Sequence, residues 1–156
     1  MNHDNQQIIT DFYQAFQDLD AERMVSHYSY NVLFRDPAFG PLKAYRAANM
    51  WRMLIDSQKE KDFKIKFKNV TENSAEWEAF YTFGDTGRPV HNQILAQFEI
   101  QNGKIVNHVD YFNLHHWAKQ ALGFKGWLFG GTQFFQNKLQ ARTNYMLQKY
   151  EETLKN

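Results

Sequence analysis

The chain has 156 residues, with 18 Lys and Arg against 17 Asp and Glu, a formal net charge of +1. That balance argues against nucleic acid as the main partner, because phosphate recognition calls for a strongly basic face. The absence of cysteine excludes a disulfide scaffold, a thiol nucleophile and any thiolate metal site. The length suits one domain with its own core, and the 17% of aromatic residues (fourteen Phe, eight Tyr, four Trp) points to a cavity lined with rings.

The N-terminal stretch MNHDNQQ is polar and lacks the charged-then-apolar pattern of a signal peptide. Ile8, Ile9, Phe12, Tyr13, Phe16 and Leu19 fall at the spacings of one helical face. Asp20 is placed to cap a second helix over Ala21–Tyr28. Val32–Asp36 alternates and stops at Pro37, which predicts a short strand, and Pro41–Ser57 returns to helical spacing.

From residue 62 the period changes to two. Phe63, Ile65 and Phe67 alternate with Asp62, Lys64, Lys66 and Lys68, a strand with a lysine-rich outer face expected to pair with Glu76 and Glu78 on the next strand. Two longer alternating segments follow, over 75–83 and 90–100, and a last strand over Lys104–Phe112. Leu114–Leu122 reads as a short helix and Phe124–Gly131 as an aromatic-glycine connector. Thr132–Leu154 reads as a long helix with Phe135, Leu139, Met146, Tyr150 and Leu154 on one face, packed on the sheet or on a second chain. The longest apolar stretch, Trp127–Phe135, is interrupted by Gly130, Gly131, Thr132 and Gln133 and falls short of the roughly 20 residues a span requires. No membrane partner and a cytoplasmic location are therefore expected.

The polar residues Glu76, Glu78, Gln93, Gln97 and Glu99 belong in water, so the opposite parity faces inward. That places Trp77, Ala79, Tyr81, Phe83, Val90, Asn92, Ile94, Ala96, Phe98 and Ile100 inside. The last strand has two registers. A three-residue turn at Gln101–Gly103 pairs Ala96 with His108 and Ile94 with Asp110, and lines the interior with Val106, His108, Asp110 and Phe112. A two-residue Asn-Gly turn reverses the parity and exposes His108 and Asp110.

Helix–helix–strand–helix followed by antiparallel strands, with Phe34-Arg35-Asp36-Pro37, Thr86-Gly87-Arg88, Asn102-Gly103-Lys104-Ile105-Val106 and Asp110-Tyr111-Phe112, resembles the nuclear transport factor 2-like, or SnoaL-like, superfamily over residues 8 to about 122. The resemblance implies an α+β domain, a cone-shaped curved antiparallel sheet wrapped on N-terminal helices, with an additional long C-terminal helix. Its extent divides the chain into a domain over 1–122 and a helical extension over 123–156. It does not by itself assign an activity, since this fold hosts isomerases, cyclases, hydrolases and binding modules. Ketosteroid isomerases are similar in the Asp-Pro after the first strand, which makes Asp36 the matching general base. Their oxyanion donors would fall near Phe12 and Ala96, which have no side-chain donor, and Tyr13 points about 100° away from Phe12 on the helix. Limonene epoxide hydrolases are similar over a longer stretch, and their water-activating Asp matches Asp110. Their other triad members would fall on Trp77 and Ala79, and their water-holding Tyr and Asn on Phe34 and Asp36. Both resemblances favour the three-residue turn.

Together these readings describe a pocket whose ligand-binding residues are Phe12, Phe16, Phe34, Trp51, Trp77, Tyr81, Asn92, Ile94, Ala96, Phe98 and Phe112. Asp36, His108 and Asp110 are its candidate catalytic residues, because two carboxyls in one apolar cavity titrate apart and a histidine beside one can share its proton. Each has a structural alternative: Asp36 as a turn former, His108 and Asp110 as a buried polar pair, Asn92 as a structural hydrogen-bonder, Arg88 as a solvated turn residue. His115 and His116 point about 100° apart on a helix and suit no common ion, so no metal and no cofactor are expected. The expected ligand is a small apolar or polycyclic molecule, isomerised, cyclised or hydrated. The alternative is a non-catalytic binding or structural module. A homodimer follows from the resemblance and from Phe80 and Leu95 on the otherwise polar outer sheet face.

Overall fold

The elements follow from capping and alternation in the chain. In the computed structural model, which describes residues 4–156, Asp4 accepts from the Gln7 amide at 3.1 Å and opens α1 (Asn5–Gln17). Residues 1–3 of the polar N-terminal stretch lie outside the described part. Asp20 caps α2 (Ala21–Val25) in the same way through the Arg23 amide. This helix is shorter than expected. Ser26 Oγ donates to the Arg23 carbonyl at 2.6 Å, giving the chain a local alternative to helix, and Tyr28 opens β1 (Tyr28–Asp36).

Gly40, at φ 71°, then turns the chain into β2 (Gly40–Lys43) where helix was expected to begin at Pro41. Pro41 has no N–H to donate and sits where this costs least, on the edge strand of the sheet. The helix proper is α3 (Tyr45–Gln58). Four strands follow, β3 (Lys64–Lys68), β4 (Ser74–Phe83), β5 (Arg88–Gln101) and β6 (Lys104–Tyr111). The curved, unclosed six-stranded sheet runs β2-β1-β6-β5-β4-β3 and is antiparallel except where β1 meets β6. Inward and outward residues alternate along β4 and β5 as their polarity requires. Register places Lys66 opposite Glu78 and Lys68 opposite Glu76, but no ion pair forms there: Glu78 binds His91 at 2.9 Å, and Lys66 lies over the Phe80 ring.

The core lies between the concave face and α1 and α3, centred on fully buried Phe12, Tyr13, Phe16, Trp51 and Phe34. A second cluster, Val90, Trp117, Ala118 and Ala121, seats α4 (Leu114–Leu122) against β5. The Thr86-Gly87-Arg88 turn is exposed, as expected, and also holds α4 in place. Arg88 Nε donates to the Gln120 carbonyl at 2.7 Å and Thr86 to that of Ala121, both orphan acceptors in the last turn of the helix.

The aromatic-glycine stretch forms a short helix, α5 (Phe124–Phe129), and Thr132 caps the long α6 (Gln133–Thr153). α6 packs on its own chain. Its buried row is Leu147 and Glu151, whereas Met146 and Leu154 are about half exposed, which corrects the expected apolar face. The docking is polar. Gln136 and Gln140 donate to the Pro37 carbonyl (3.3 and 3.2 Å), Thr143 to Ala38 (2.9 Å) and Asn144 to Phe39 (2.8 Å). Further along, Glu151 takes Arg46 at 2.5 Å and Asn49 at 3.1 Å. Each such bond contributes a net of about 1 kcal/mol. Gln140→Ala and Asn144→Ala should each lower stability in urea by about 1 kcal/mol and leave the helix content of the folded state unchanged; an effect near zero would mean that the polar row does not hold α6.

Candidate functional site

Which way His108 and Asp110 face is decided at the β5–β6 turn. Asn102 (φ 51°) and Gly103 (φ 76°) make the two-residue turn, with Gln101 opposite Lys104. That turn alone would expose both side chains. The register then shifts: Ile100 opposes Ile105, but Glu99 opposes Asn107, so Val106 is an extra residue in β6. This β-bulge reverses the parity. Phe98 comes to face His108 and Ala96 to face Asp110, and the two polar residues are 0% and 3% exposed. The three-residue turn and its pairing are thus corrected, as is the inward placement of Val106, for it is Ile105 that is fully buried.

Next to Asp110 lies a cavity of about 690 Å³ bounded by α3, the concave sheet, α4 and α6. Phe16, Trp51, Trp77, Tyr81, Asn92, Ile94 and Phe112 line it, together with the two candidate carboxyl residues, Asp36 and Asp110, and with Asp85, whose carboxylate pairs with Arg142 at 3.0 Å. Phe12, Phe34, Ala96, Phe98 and His108 do not. They fill the closed end of the cone, where Phe12, Phe34 and Phe98 pack around the His108 ring at centroid distances of 5.6, 5.1 and 4.3 Å. His108 therefore has no direct access to a ligand.

Asp36 ends β1 at the cavity wall. Its Oδ1 accepts from the amides of Ala38 (2.9 Å) and Phe39 (2.6 Å), while Oδ2 takes no hydrogen bond among the described residues. Burial drives its pKa up from 3.8 to about 7, against the two amide bonds and with a smaller push from the charge of Asp110. The turn-forming role and the cavity placement coexist in this residue.

Behind Asp110 runs a buried chain of hydrogen bonds. Trp51 Nε1 donates to the Tyr28 hydroxyl at 2.7 Å, and that hydroxyl lies 2.7 Å from His108 Nδ1. His108 Nε2 lies 2.9 Å from Asp110 Oδ1, which also receives a long 3.4 Å bond from Trp77 Nε1. An indole nitrogen can only donate, so Tyr28 accepts from Trp51, and among the described residues His108 Nδ1 is the acceptor within reach of its own proton. Burial holds the Tyr28 phenol well above its ordinary pKa, so that proton stays in place. Nδ1 is then the unprotonated nitrogen, and Nε2 carries the proton to Asp110. Trp77, where a triad member of the epoxide hydrolases would fall, supplies a donor to Asp110.

Several residues here escaped the sequence. Tyr28 stood within an expected helix, and its strand placement was not signalled. Phe135, Leu139 and Met146 of α6 line the cavity, as do Lys138 and Arg142. Tyr13, expected to point away from the Phe12 face, is itself fully buried, with a hydroxyl that has no partner among the described residues. Burial, with a contribution from the Asp110 charge, raises its pKa. No cluster of three or more His, Asp or Glu with metal-site geometry occurs among the described residues, and His115 Nε2 bonds instead to the Trp127 carbonyl at 2.7 Å. No described helix is long and apolar enough to cross a membrane.

Residues 9–108 match the SnoaL-like domain family. No curated protein matches the sequence. Among solved structures, Bal32a from a soil-derived mobile gene cassette superposes with a TM-score of 0.64 at 16% identity, covering 75% of this chain and 95% of its own. A candidate polyketide cyclase from Silicibacter sp. TM1040 gives 0.59 at 16%, covering 76% and 95%. TerC, co-crystallised with polyporic acid, gives 0.58 at 14%, covering 71% and 92%. At such identities the likeness is one of fold.

Two outcomes test the site. Tyr28→Phe keeps the ring but strands two buried polar groups, Trp51 Nε1 and His108 Nδ1, and should cost roughly 2 kcal/mol in chemical denaturation; nitrogen NMR of the wild type should find the His108 proton on Nε2. For Asp36, the folded-state pKa is raised, so folded protein keeps a proton that the unfolded chain releases between about pH 4 and pH 7. Its contribution to stability falls as pH rises through that window and levels off above it. The thermal midpoint of wild type relative to Asp36→Asn should therefore decline from about pH 4 to pH 7; a constant difference would contradict the raised value.

Proposed function

The chain belongs to the SnoaL-like domain family, and on that premise we propose that it binds a small, largely apolar, ring-containing molecule and moves protons on it. The observation that carries this reading is the pair of carboxyls, Asp36 and Asp110, on the wall of an otherwise mostly apolar cavity of about 690 Å³. The volume falls within the range of small-molecule sites. The co-crystallised ring compound of TerC and the cyclase neighbour support the choice of ligand class.

The roles divide by environment. Asp110 is the base. Its Oδ1 is held by His108 and Trp77, and Oδ2 is left at the cavity wall with no protein partner among the described residues. Asp36, with its pKa near 7, is partly protonated at neutral pH and is the acid. In the simplest step a C–H bond next to a substrate carbonyl breaks, its proton passes to Asp110, and the electron pair moves onto the carbonyl oxygen. Asp36 gives that oxygen a proton. Where the substrate carries a β,γ double bond, Asp110 returns its proton to the γ carbon while the enol O–H proton goes back to Asp36, which completes an isomerisation. In a cyclisation the enol carbon attacks a second carbonyl, whose oxygen takes the proton from Asp110 as the enol O–H proton goes back to Asp36. His108 never meets the substrate in this scheme; it is a positioning residue that keeps Asp110 oriented. Homodimerisation has its support on the outer sheet face, where Leu95 and its cross-strand partner Tyr111 are 43% and 47% exposed.

Deuterium exchange into a polycyclic β-diketone, followed by NMR, tests the reading. Wild type should catalyse the exchange, with Asp110→Asn slowed at least about 100-fold and Asp36→Asn slowed with loss of the pH dependence near neutrality. Binding with unchanged exchange in both variants would favour the non-catalytic binding module.

A further inference from the structure

α5 is built inside out. Gly126 and Gly130 face α4: a Cβ on Gly126 would lie 1.8 Å from the Ala118 carbonyl oxygen, and one on Gly130 would lie 2.4 Å from the Gly126 carbonyl oxygen and 2.5 Å from the Ala118 Cβ. Only glycine fits this seam, so the small residues are inside and the large apolar ones are turned outward. Phe124, Trp127, Leu128, Phe129 and, at the start of α6, Phe134 are 49–72% exposed. Five such side chains within eleven positions make a patch that an ordinary amphipathic helix would bury.

The charge that α4, α5 and the first part of α6 bring to the patch has one sign. From Tyr111 to Tyr150 the sequence holds four Lys and one Arg and neither Asp nor Glu. Arg142 pairs with Asp85 and Lys149 with Glu152, whereas exposed Lys119, Lys125 and Lys138 have no carboxylate partner among the described residues. Lys138 lies over the Phe134 ring at 4.9 Å. A second copy of the chain docked symmetrically on the patch would bring one lysine-bearing face against another, with no carboxylate from this stretch to pair with. An anionic lipid surface would neutralise them while taking up the aromatic rings at headgroup depth, where Trp is favoured.

We propose that the α5–α6 corner docks on the surface of an anionic membrane, lying in the interface rather than crossing it. Phe134 is on the outer surface while the next residue, Phe135, is on the cavity wall. An apolar molecule dissolved in the bilayer therefore meets the cavity beside the docking surface. Docking itself stands independently of the proton chemistry proposed for Asp36 and Asp110.

Co-sedimentation with vesicles of phosphatidylcholine alone, and of phosphatidylcholine with roughly a third phosphatidylglycerol, tests the proposal. The full chain should prefer the anionic vesicles at least about tenfold, since each lysine near such a surface contributes about a factor of five, and the preference should weaken in high salt. Trp51, Trp77 and Trp117 are buried, so a blue shift of fluorescence on binding would report Trp127. Lys119→Glu with Lys125→Glu should abolish the preference for anionic vesicles, and Trp127→Ser with Phe129→Ser should lower binding about tenfold with circular dichroism unchanged. Equal or absent binding to both vesicles would overturn the proposal. So would a lipid-independent dimer that the Trp127→Ser, Phe129→Ser variant dissociates, for the patch would then be an interface between copies.

Discussion

One residue too many in β6 sets the interior of this protein. The two-residue turn at Asn102-Gly103 is the tightest way to join β5 to β6, and on its own it would direct His108 and Asp110 into water. The bulge at Val106 absorbs one residue, and every side chain beyond it changes face. The first two inward polar residues it delivers are an imidazole and a carboxyl. Neither can be buried without partners, because a stranded polar group costs on the order of a few kcal/mol. The rest of the closed end is arranged to supply those partners.

That arrangement has a direction. The chain of bonds begins and ends at indoles, Trp51 and Trp77, which only donate, so the protons between them have a single consistent order. They run from Trp51 through Tyr28 and His108 and converge on Asp110. A lone His–Asp pair could place its proton on either group. Here Tyr28 already donates to Nδ1, leaving Nε2 to donate to the carboxyl. The aromatic rings around His108 exclude water that could offer other partners. The aromatic excess of the composition therefore has three uses: a dry sheath around the polar chain, a lining for the cavity, and an outward patch on α5.

Much of the fold was legible because alternation over β4 and β5 is strong and their polar faces are unambiguous, as with Glu76, Glu78, Gln93 and Gln97. The family resemblance, carried among others by Asp36-Pro37 and the Asn102-Gly103 turn, reached from residue 8 to about 122, and the family match covers 9–108 of it. What could not be read were features without periodicity. A bulge leaves no mark when the extra residue is a valine in a valine-rich strand. Tyr28 could belong equally to the end of a helix or the start of a strand, and only the buried partners choose. Sequence parity also could not distinguish the filled end of a cone from its open end. Phe12, Phe34, Ala96 and Phe98 point inward as expected, yet they meet core rather than cavity.

The extension that most evaded the sequence also acts on the proposed acid. α6 lies beyond the family match and shows little apolar periodicity, because it docks through amides and a hydroxyl to backbone carbonyls. Its target is the loop after Asp36. The Ala38 and Phe39 amides of that loop donate to Asp36, while the carbonyls of Pro37, Ala38 and Phe39 accept from α6. Every amide and carbonyl of that loop from Pro37 to Phe39 thus has a protein partner, and its backbone needs no water to be satisfied. Phe135, Leu139 and Met146 of the same helix complete the apolar wall of the cavity that Asp36 also lines. Desolvation is the main cause of the raised Asp36 pKa. The poise of that carboxyl near neutrality is therefore a property of the C-terminal helix as much as of the strand that carries it.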